Sequence, residues 1–196
     1  MSTALWLLAI QGVLGALDTL YYHEWRARLP AGVPGTRPEL LLHAARDFLY
    51  ALLFGSLPWV AWRGAWAGVL ALVIATEIVI TLADFVVEDR VRQPLGGVFP
   101  GERCMHTVMA ILYGAVLAHL APVLLAAWEL PTGLVMEPAP VSQALRVGLS
   151  LMAVGVLCSG VRDFYAALQL PGGHWPWHLA VPAGPETSAP SGARQG

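Results

Sequence analysis

Pairs of metal-binding side chains recur at a spacing of four residues along an otherwise apolar chain. The pairs are His43 with Asp47, Asp84 with Glu88, and Glu102 with His106. Side chains four residues apart lie on one face of an α-helix and can bind the same ion or neighbouring ions. Imidazole combined with carboxylates suits iron, manganese or zinc, whereas soft metals favour thiolates. The spacing therefore predicts a His/carboxylate metal site.

The first apolar stretch adds two further candidates, Asp18 and His23, to the expected ligand set. The complete set is His23, His43, Asp47, Asp84, Glu88, Glu102, His106 and Asp18. On an ideal α-helix one face carries Gln11, Asp18, Tyr22 and Trp25. His23 and Glu24 lie off that face. We therefore expect either that this helix ends early or that one of the two sets points elsewhere.

The surplus of carboxylates favours a centre of two iron ions, with manganese or zinc as alternatives. Carboxylates that share an apolar site without a counter-charge protonate or repel one another. A pair of divalent ions solves this problem, and neighbouring guanidinium groups would also do so. The arginines available for that role are Arg46, Arg90, Arg103 and Arg162.

Glu77, Tyr50 and Tyr113 are the predicted catalytic residues. Glu77 falls near the middle of an apolar stretch, where ionisable groups are costly and usually functional. It shares a helical face with Asp84 and Glu88. Tyr50 follows His43 by seven residues and Tyr113 follows His106 by seven, so each tyrosine lies on a ligand face. We expect one of these tyrosines to donate an electron or a hydrogen bond.

Five stretches are long and apolar enough to form membrane-spanning helices, which need about 20 residues. They cover 3–22, 41–61, 65–87, 105–128 and 144–168. The chain is 57% hydrophobic and only 12% charged, against about 25% charged in soluble domains. The sequence thus predicts an all-α integral membrane bundle of about five transmembrane helices. One domain covers 1–170, and an interfacial segment with a disordered tail covers 171–196.

The arginines predict the orientation of this bundle, because short cytoplasmic loops collect basic residues. Loops 24–40 and 88–104 each contain three arginines, whereas the tight turn at 62–64 has one and the 129–143 connection has none. The N-terminus is therefore expected outside and the C-terminus inside. Every predicted ligand then falls in the cytoplasmic half of the bundle. We expect a multi-pass protein of the bacterial inner (cytoplasmic) membrane.

Four motifs resemble those of a bacterial multi-span membrane family with His/carboxylate motifs. They are DTLYYHE at 18–24, HAARD at 43–47, EIVITLADFVVEDR at 77–90 and ERCMH at 102–106. In general character they are similar to membrane di-metal oxygenases and to multi-span zinc hydrolases of lipid amides. The chain departs from the histidine boxes of desaturases and from the paired E-x-x-H of ferritin-like proteins. The resemblance implies a membrane di-metal enzyme.

These patterns predict a metal-dependent membrane oxidoreductase that oxidises or hydroxylates a lipid-like substrate. The alternatives are a membrane zinc hydrolase of lipids, a proton- or cation-coupled transporter, and a scaffold subunit whose polar network is structural. The expected partners are membrane lipid and a hydrophobic small molecule, and a homo-oligomer is compatible with the sequence. A net charge of −2 provides no basic face for nucleic acid.

Overall fold

Long α-helices account for most of the chain. The computed structural model describes residues 1–33 and 35–176. The helices are α1 (Ser2–Asp18), α2 (Arg37–Ser56), α3 (Ala65–Val91), α4 (Pro100–Trp128) and α5 (Gln143–Ala167). Each predicted apolar stretch corresponds to one of them, which confirms the mostly helical prediction. Residues 171–176 form turns, and the rest of the predicted tail lies outside the described residues.

Four helical segments are long and apolar enough to cross a membrane: Ser2–Ala31, α3, α4 and α5. The prediction of about five spans is therefore supported for four. The remaining helix, α2, is 20 residues long and includes Arg37, Glu39, Arg46 and Asp47, which lower its hydropathy. The helix α2 connects the end of α1 with the start of α3, and these lie at opposite ends of the bundle. It therefore runs the length of the bundle, although it is less apolar than the other four segments. The predicted orientation of the termini stays a prediction.

The first helix does not end after Asp18 but continues as a π-helix from Thr19 to Arg26. The Ala27 amide donates to the Tyr22 carbonyl, a bond that spans five residues. Such winding places residues five apart on one face, so His23 follows Asp18 into the interior. The face predicted from ideal geometry is wrong at its end, because Trp25 is exposed whereas His23 and Glu24 are buried.

Two short strands close the end of the bundle opposite the π-helix. β1 (Val60–Arg63) pairs antiparallel with β2 (Gly133–Met136), and Val60 lies opposite Met136. The sequence predicted only a turn and a connection here, and it placed Pro58 inside a helix. Instead α2 ends at Ser56, before the proline, which frees the following residues to pair as a strand. The prediction of an all-α bundle is therefore corrected by this two-stranded sheet.

The interior divides into an apolar half next to the strands and a polar half next to the π-helix. The apolar half is filled by Leu5, Leu8, Leu53, Leu70, Leu120 and Leu149. In the polar half α2 packs closely on α5, where a Cβ atom added to Gly160 would lie 2.8 Å from the Asp47 Cβ atom. The fold therefore brings polar side chains from all five helices together at one end.

Candidate metal centre

Most of the predicted ligands converge in the polar half of the bundle, where they are buried. We define the His/carboxylate cluster as Asp18, His23, Glu39, His43, Asp84, Glu88, Glu102 and His106, each less than 9% exposed. They come from α1, the π-helix, α2, α3 and α4. Seven of the eight were predicted from the sequence, and the structure confirms that they converge.

Three histidine rings form the centre of this cluster. The His23 ring stacks on the His43 ring with 4.6 Å between centroids. The His23 ring also makes an edge-to-face contact with the His106 ring, with 6.2 Å between centroids. His23 therefore connects a group of ligands around His106 with a group around His43.

The group around His106 contains carboxylates from three helices. The His106 Nε2 atom is 3.1 Å from Asp18 Oδ2, and its Nδ1 atom is 3.4 Å from Glu88 Oε1. Two sets of three could each hold an ion with donor atoms within 4.8 Å of one another: Asp18, His23, His106 and Glu88, Glu102, His106. His106 belongs to both sets, so it is the shared residue of this half of the cluster.

The group around His43 lies between α2, α3 and α5. The His43 Nε2 atom is 3.3 Å from Asp84 Oδ2 and 3.9 Å from Glu39 Oε1. The Nδ1 atom on the other side of the ring is 4.0 Å from Asp163 Oδ2. At that distance Asp163 does not form a hydrogen bond with the ring, and its hydrogen-bonded partner is Arg162 at 2.8 Å.

Two histidine nitrogens face carboxylates at short range without forming hydrogen bonds. His23 Nε2 is 3.2 Å from Glu102 Oε1, yet neither this atom nor His43 Nε2 has a hydrogen-bond partner among the described residues. Donor atoms around an ion bound at about 2.1 Å lie roughly 3.0–3.4 Å apart without hydrogen-bonding one another. The distances in the cluster fit a ligand shell, and they also include hydrogen bonds such as the one of 3.1 Å between His106 Nε2 and Asp18 Oδ2.

Several carboxylate oxygens of the cluster also lack a partner among the described residues. These atoms are Asp18 Oδ1, Glu39 Oε2, Asp84 Oδ1 and Glu88 Oε2. A buried polar atom without a hydrogen bond costs about 1–3 kcal/mol, and more when it is charged. Atoms of this kind are satisfied by ordered water or by a bound ion.

Three arginines, of which Arg92 is buried, pair with carboxylates at this end of the bundle. Arg92 is 1% exposed, and its guanidinium contacts Glu39 Oε1 at 2.8 Å and Glu102 Oε1 at 3.2 Å. Arg46 pairs with Asp84 at 3.0 Å, and Arg162 pairs with Asp163 and Glu24. The buried carboxylates here are Asp18, Glu24, Glu39, Asp84, Glu88, Glu102 and Asp163. Among the described residues at this end, these seven carboxylates therefore outnumber the three arginines that pair with them.

Glu39 and Arg92 are the two buried site residues that the sequence analysis missed. Both lie just outside the predicted spans of 41–61 and 65–87, which placed them in loops. Their spacing contained the signal, since Glu39 precedes His43 by four residues and Arg92 follows Glu88 by four. Of the predicted arginine neighbours, Arg46 and Arg162 contact the carboxylates, whereas Arg90 and Arg103 are exposed.

Asp47 is the predicted ligand that the structure does not bring into the cluster. It is half-buried, and it packs against α5 at Gly160. Its charged neighbours are Arg46, Asp163 and His43. Asp47 lies one turn further along α2 than His43, so it is directed at α5 instead of the other ligands.

The predicted catalytic residues form a second polar cluster, deeper in the bundle. Glu77 is 1% exposed and accepts a hydrogen bond of 2.8 Å from the Thr81 hydroxyl. The Tyr50 and Tyr113 rings meet at 6.1 Å, and Glu77 is an electrostatic neighbour of both. Arg46, which pairs with Asp84, is also a neighbour of Glu77 and Tyr50. The three residues come together, next to the metal ligands and not among them.

The fold and the site together define a class of protein: a helical membrane protein with a buried His/carboxylate cluster near one end of its bundle. The chain matches no family model, no curated protein and no solved structure in the three comparisons made.

Proposed function

We propose that this chain is an integral-membrane metalloenzyme that holds two divalent metal ions in the His/carboxylate cluster. The observation that carries the proposal is the spacing of donor atoms. Imidazole and carboxylate atoms lie 3.1–3.5 Å apart around His23 and His106, and they supply two sets of three donor atoms within 4.8 Å of one another. Two divalent ions would also offset the carboxylates that the arginines leave unpaired.

The ligand types favour iron or manganese over zinc. Three imidazoles with five carboxylates form a hard, oxygen-rich set, and the described cysteines, Cys104 and Cys158, are exposed and outside it. Iron and manganese suit such a set, and zinc accepts it as an alternative. A pair of redox-active ions supplies electron-transfer and oxygen chemistry, so we propose a metal-dependent oxidoreductase. A zinc hydrolase of lipids is the alternative with the same ligands.

Glu77, Tyr50 and Tyr113 are proposed to serve the reaction from the deeper side of the centre. Glu77 Oε2 and the Tyr113 hydroxyl are buried and have no hydrogen-bond partner among the described residues. A carboxyl group beside two phenols can hold a proton and pass it on, and a phenol can also donate an electron. Arg46 contacts Asp84 at 3.0 Å, which couples this cluster electrostatically to the ligands.

The transporter alternative has less support, because the described polar residues do not cross the bundle. Beyond Gln11 and Glu77 the interior is mainly apolar, with side chains such as Leu8, Leu70 and Leu120, and its few buried polar atoms include Ser56 Oγ and Trp62 Nε1. A proton or cation pathway requires polar groups or water on both sides of a central site. The polar side chains are concentrated at one end of the bundle. This arrangement is expected for an enzyme that meets its substrate at one face of the membrane.

We propose a lipid-like substrate because the site lies between helices that are long and apolar enough to cross a membrane. We propose the inner membrane of a bacterium as its location, with the cluster on the cytoplasmic side. The basis is the positive-inside rule: Arg26, Arg28, Arg37, Arg90, Arg92 and Arg103 all lie at the same end of the bundle as the cluster.

Elemental analysis of the purified protein tests the proposal. We expect two divalent ions per chain, with iron or manganese favouring the oxidoreductase and zinc favouring the hydrolase. His106→Ala should remove at least one ion, because His106 belongs to both sets of three ligands. His119→Ala is the matched control, since His119 is an exposed histidine on the same helix. Wild-type protein without stoichiometric metal, or equal loss in both variants, would contradict the proposal.

A further inference from the structure

We propose that the groove between the end of α3 and the start of α4 binds the headgroup of an anionic membrane phospholipid and presents it to the metal centre. This inference deepens the proposed function and rests on it, since it names the substrate class of the same site. The groove has a volume of about 500 Å³, and it is lined by Phe85, Val86, Glu88, Asp89, Arg90, Val98 and Arg103.

The floor of the groove reaches the His/carboxylate cluster through Glu88. One carboxylate oxygen of Glu88 is 3.4 Å from His106 Nδ1, and the other is buried without a partner among the described residues. Phe85, which also lines the groove, stacks on the His106 ring at 5.4 Å. A molecule in this groove would therefore contact Glu88 directly and lie next to the His/carboxylate cluster.

The rim of the groove carries two exposed guanidinium groups. Arg90 makes no ion pair with any described residue. Arg103 pairs with Asp89 at 3.6 Å, but both side chains are more than 60% exposed, and such surface pairs contribute little. Guanidinium groups bind phosphate oxygens through charge-assisted hydrogen bonds. Both arginines are therefore available to a phosphate group that enters the groove.

An exposed apolar stripe leads along α3 to the same groove. Val79, Leu82 and Val86 are each more than half exposed, and with Arg90 they are spaced at offsets of three, seven and eleven residues. These offsets place all four side chains on one face of the helix. A stripe of apolar residues that ends at an arginine matches a phospholipid, whose acyl chain is joined to a phosphate at the membrane surface.

This continuity favours a lipid over a free anion as the occupant. Inorganic phosphate would contact the arginines but gain nothing from the valine and leucine side chains. A phospholipid uses both surfaces, because each basic residue near an anionic headgroup contributes about 1 kcal/mol and buried methylene groups add to this. Its glycerol and first acyl carbons would lie nearest Glu88, where the proposed chemistry takes place.

Lipid retention by the intact protein tests this inference. The protein is incubated in mixed micelles with phosphatidylglycerol or with phosphatidylcholine, and bound lipid is counted by native mass spectrometry. We expect wild type to retain phosphatidylglycerol selectively. The double variant Arg90→Gln/Arg103→Gln should bind it about tenfold more weakly or worse, with its metal content unchanged. Arg37→Gln, an exposed arginine at the same end of the bundle, is the matched control.

Three results would overturn the inference. The first is unchanged phosphatidylglycerol retention in the double variant, and the second is an equal loss in Arg37→Gln, which would indicate general surface attraction. The third is displacement of the lipid by millimolar inorganic phosphate, which would indicate a site for free anions. Failure of the metal proposal is distinguishable, because wild type would then lack metal while lipid retention still depended on Arg90 and Arg103.

Discussion

Replacing His23 with alanine is expected to reduce the metal bound to the purified protein to less than about a tenth of the wild-type amount. His23 is the only described residue that meets both other histidines of the cluster, stacking on His43 at 4.6 Å and meeting His106 at 6.2 Å. Its Nε2 atom is also 3.2 Å from Glu102. Loss of this ring removes a ligand from one set of three and the ring that packs on His43, so we expect both ions to be bound more weakly.

The measurement is elemental analysis together with a titration of the metal-depleted protein with Fe²⁺ or Mn²⁺. His119→Ala is again the control, because it removes an exposed histidine from α4 without reaching the cluster. His23→Ala protein must elute as a folded species for the comparison to count. A folded His23→Ala variant that binds metal as tightly as wild type would exclude His23 as a ligand.

Arg92→Ala is expected to cause the largest loss of stability among single substitutions at the site. Its guanidinium lies between Glu39 and Glu102, at 2.8 Å and 3.2 Å, and all three side chains are buried. Removing one partner from a buried ion pair costs about 3–5 kcal/mol, because the remaining charge is left without compensation. We expect the free energy of unfolding to fall by that amount in metal-depleted protein.

Denaturant titration in detergent micelles measures this effect. Arg90→Ala provides the matched control two residues earlier in the chain: Arg90 is exposed and outside the buried network, so its loss should change stability by less than about 0.5 kcal/mol. Adding metal should recover part of the stability of Arg92→Ala, since divalent ions supply positive charge to the same carboxylates. Equal stability of the two variants would contradict the role assigned to Arg92.

Much of the fold and of the ligand set could be predicted from the sequence because membrane proteins have few physical options. Long apolar runs must be helices, and polar residues within them must face each other. These two rules were enough to predict that Asp84 on α3 and His106 on α4 lie in one cluster.

The parts that could not be predicted depend on local departures from ideal helices. The π-helix from Thr19 to Arg26 changes the winding, so His23 occupies the face that ideal geometry assigns to Tyr22 and Trp25. Glu39 and Arg92 were missed because hydropathy ends a predicted span at the first charged residues. In the folded bundle these two charged side chains are buried against each other. Asp47 was included wrongly, since its spacing from His43 does not specify which neighbouring helix it meets.

Anomalous scattering from crystals of the purified protein tests the central claim most directly. Data collected at the iron, manganese and zinc edges should give two peaks inside the bundle. We expect one peak beside Asp18, His23 and His106 and the other beside Glu88, Glu102 and His106, each about 2.0–2.3 Å from the ligating atoms. Crystals of protein grown with these metals that show no peak at the cluster would contradict the account.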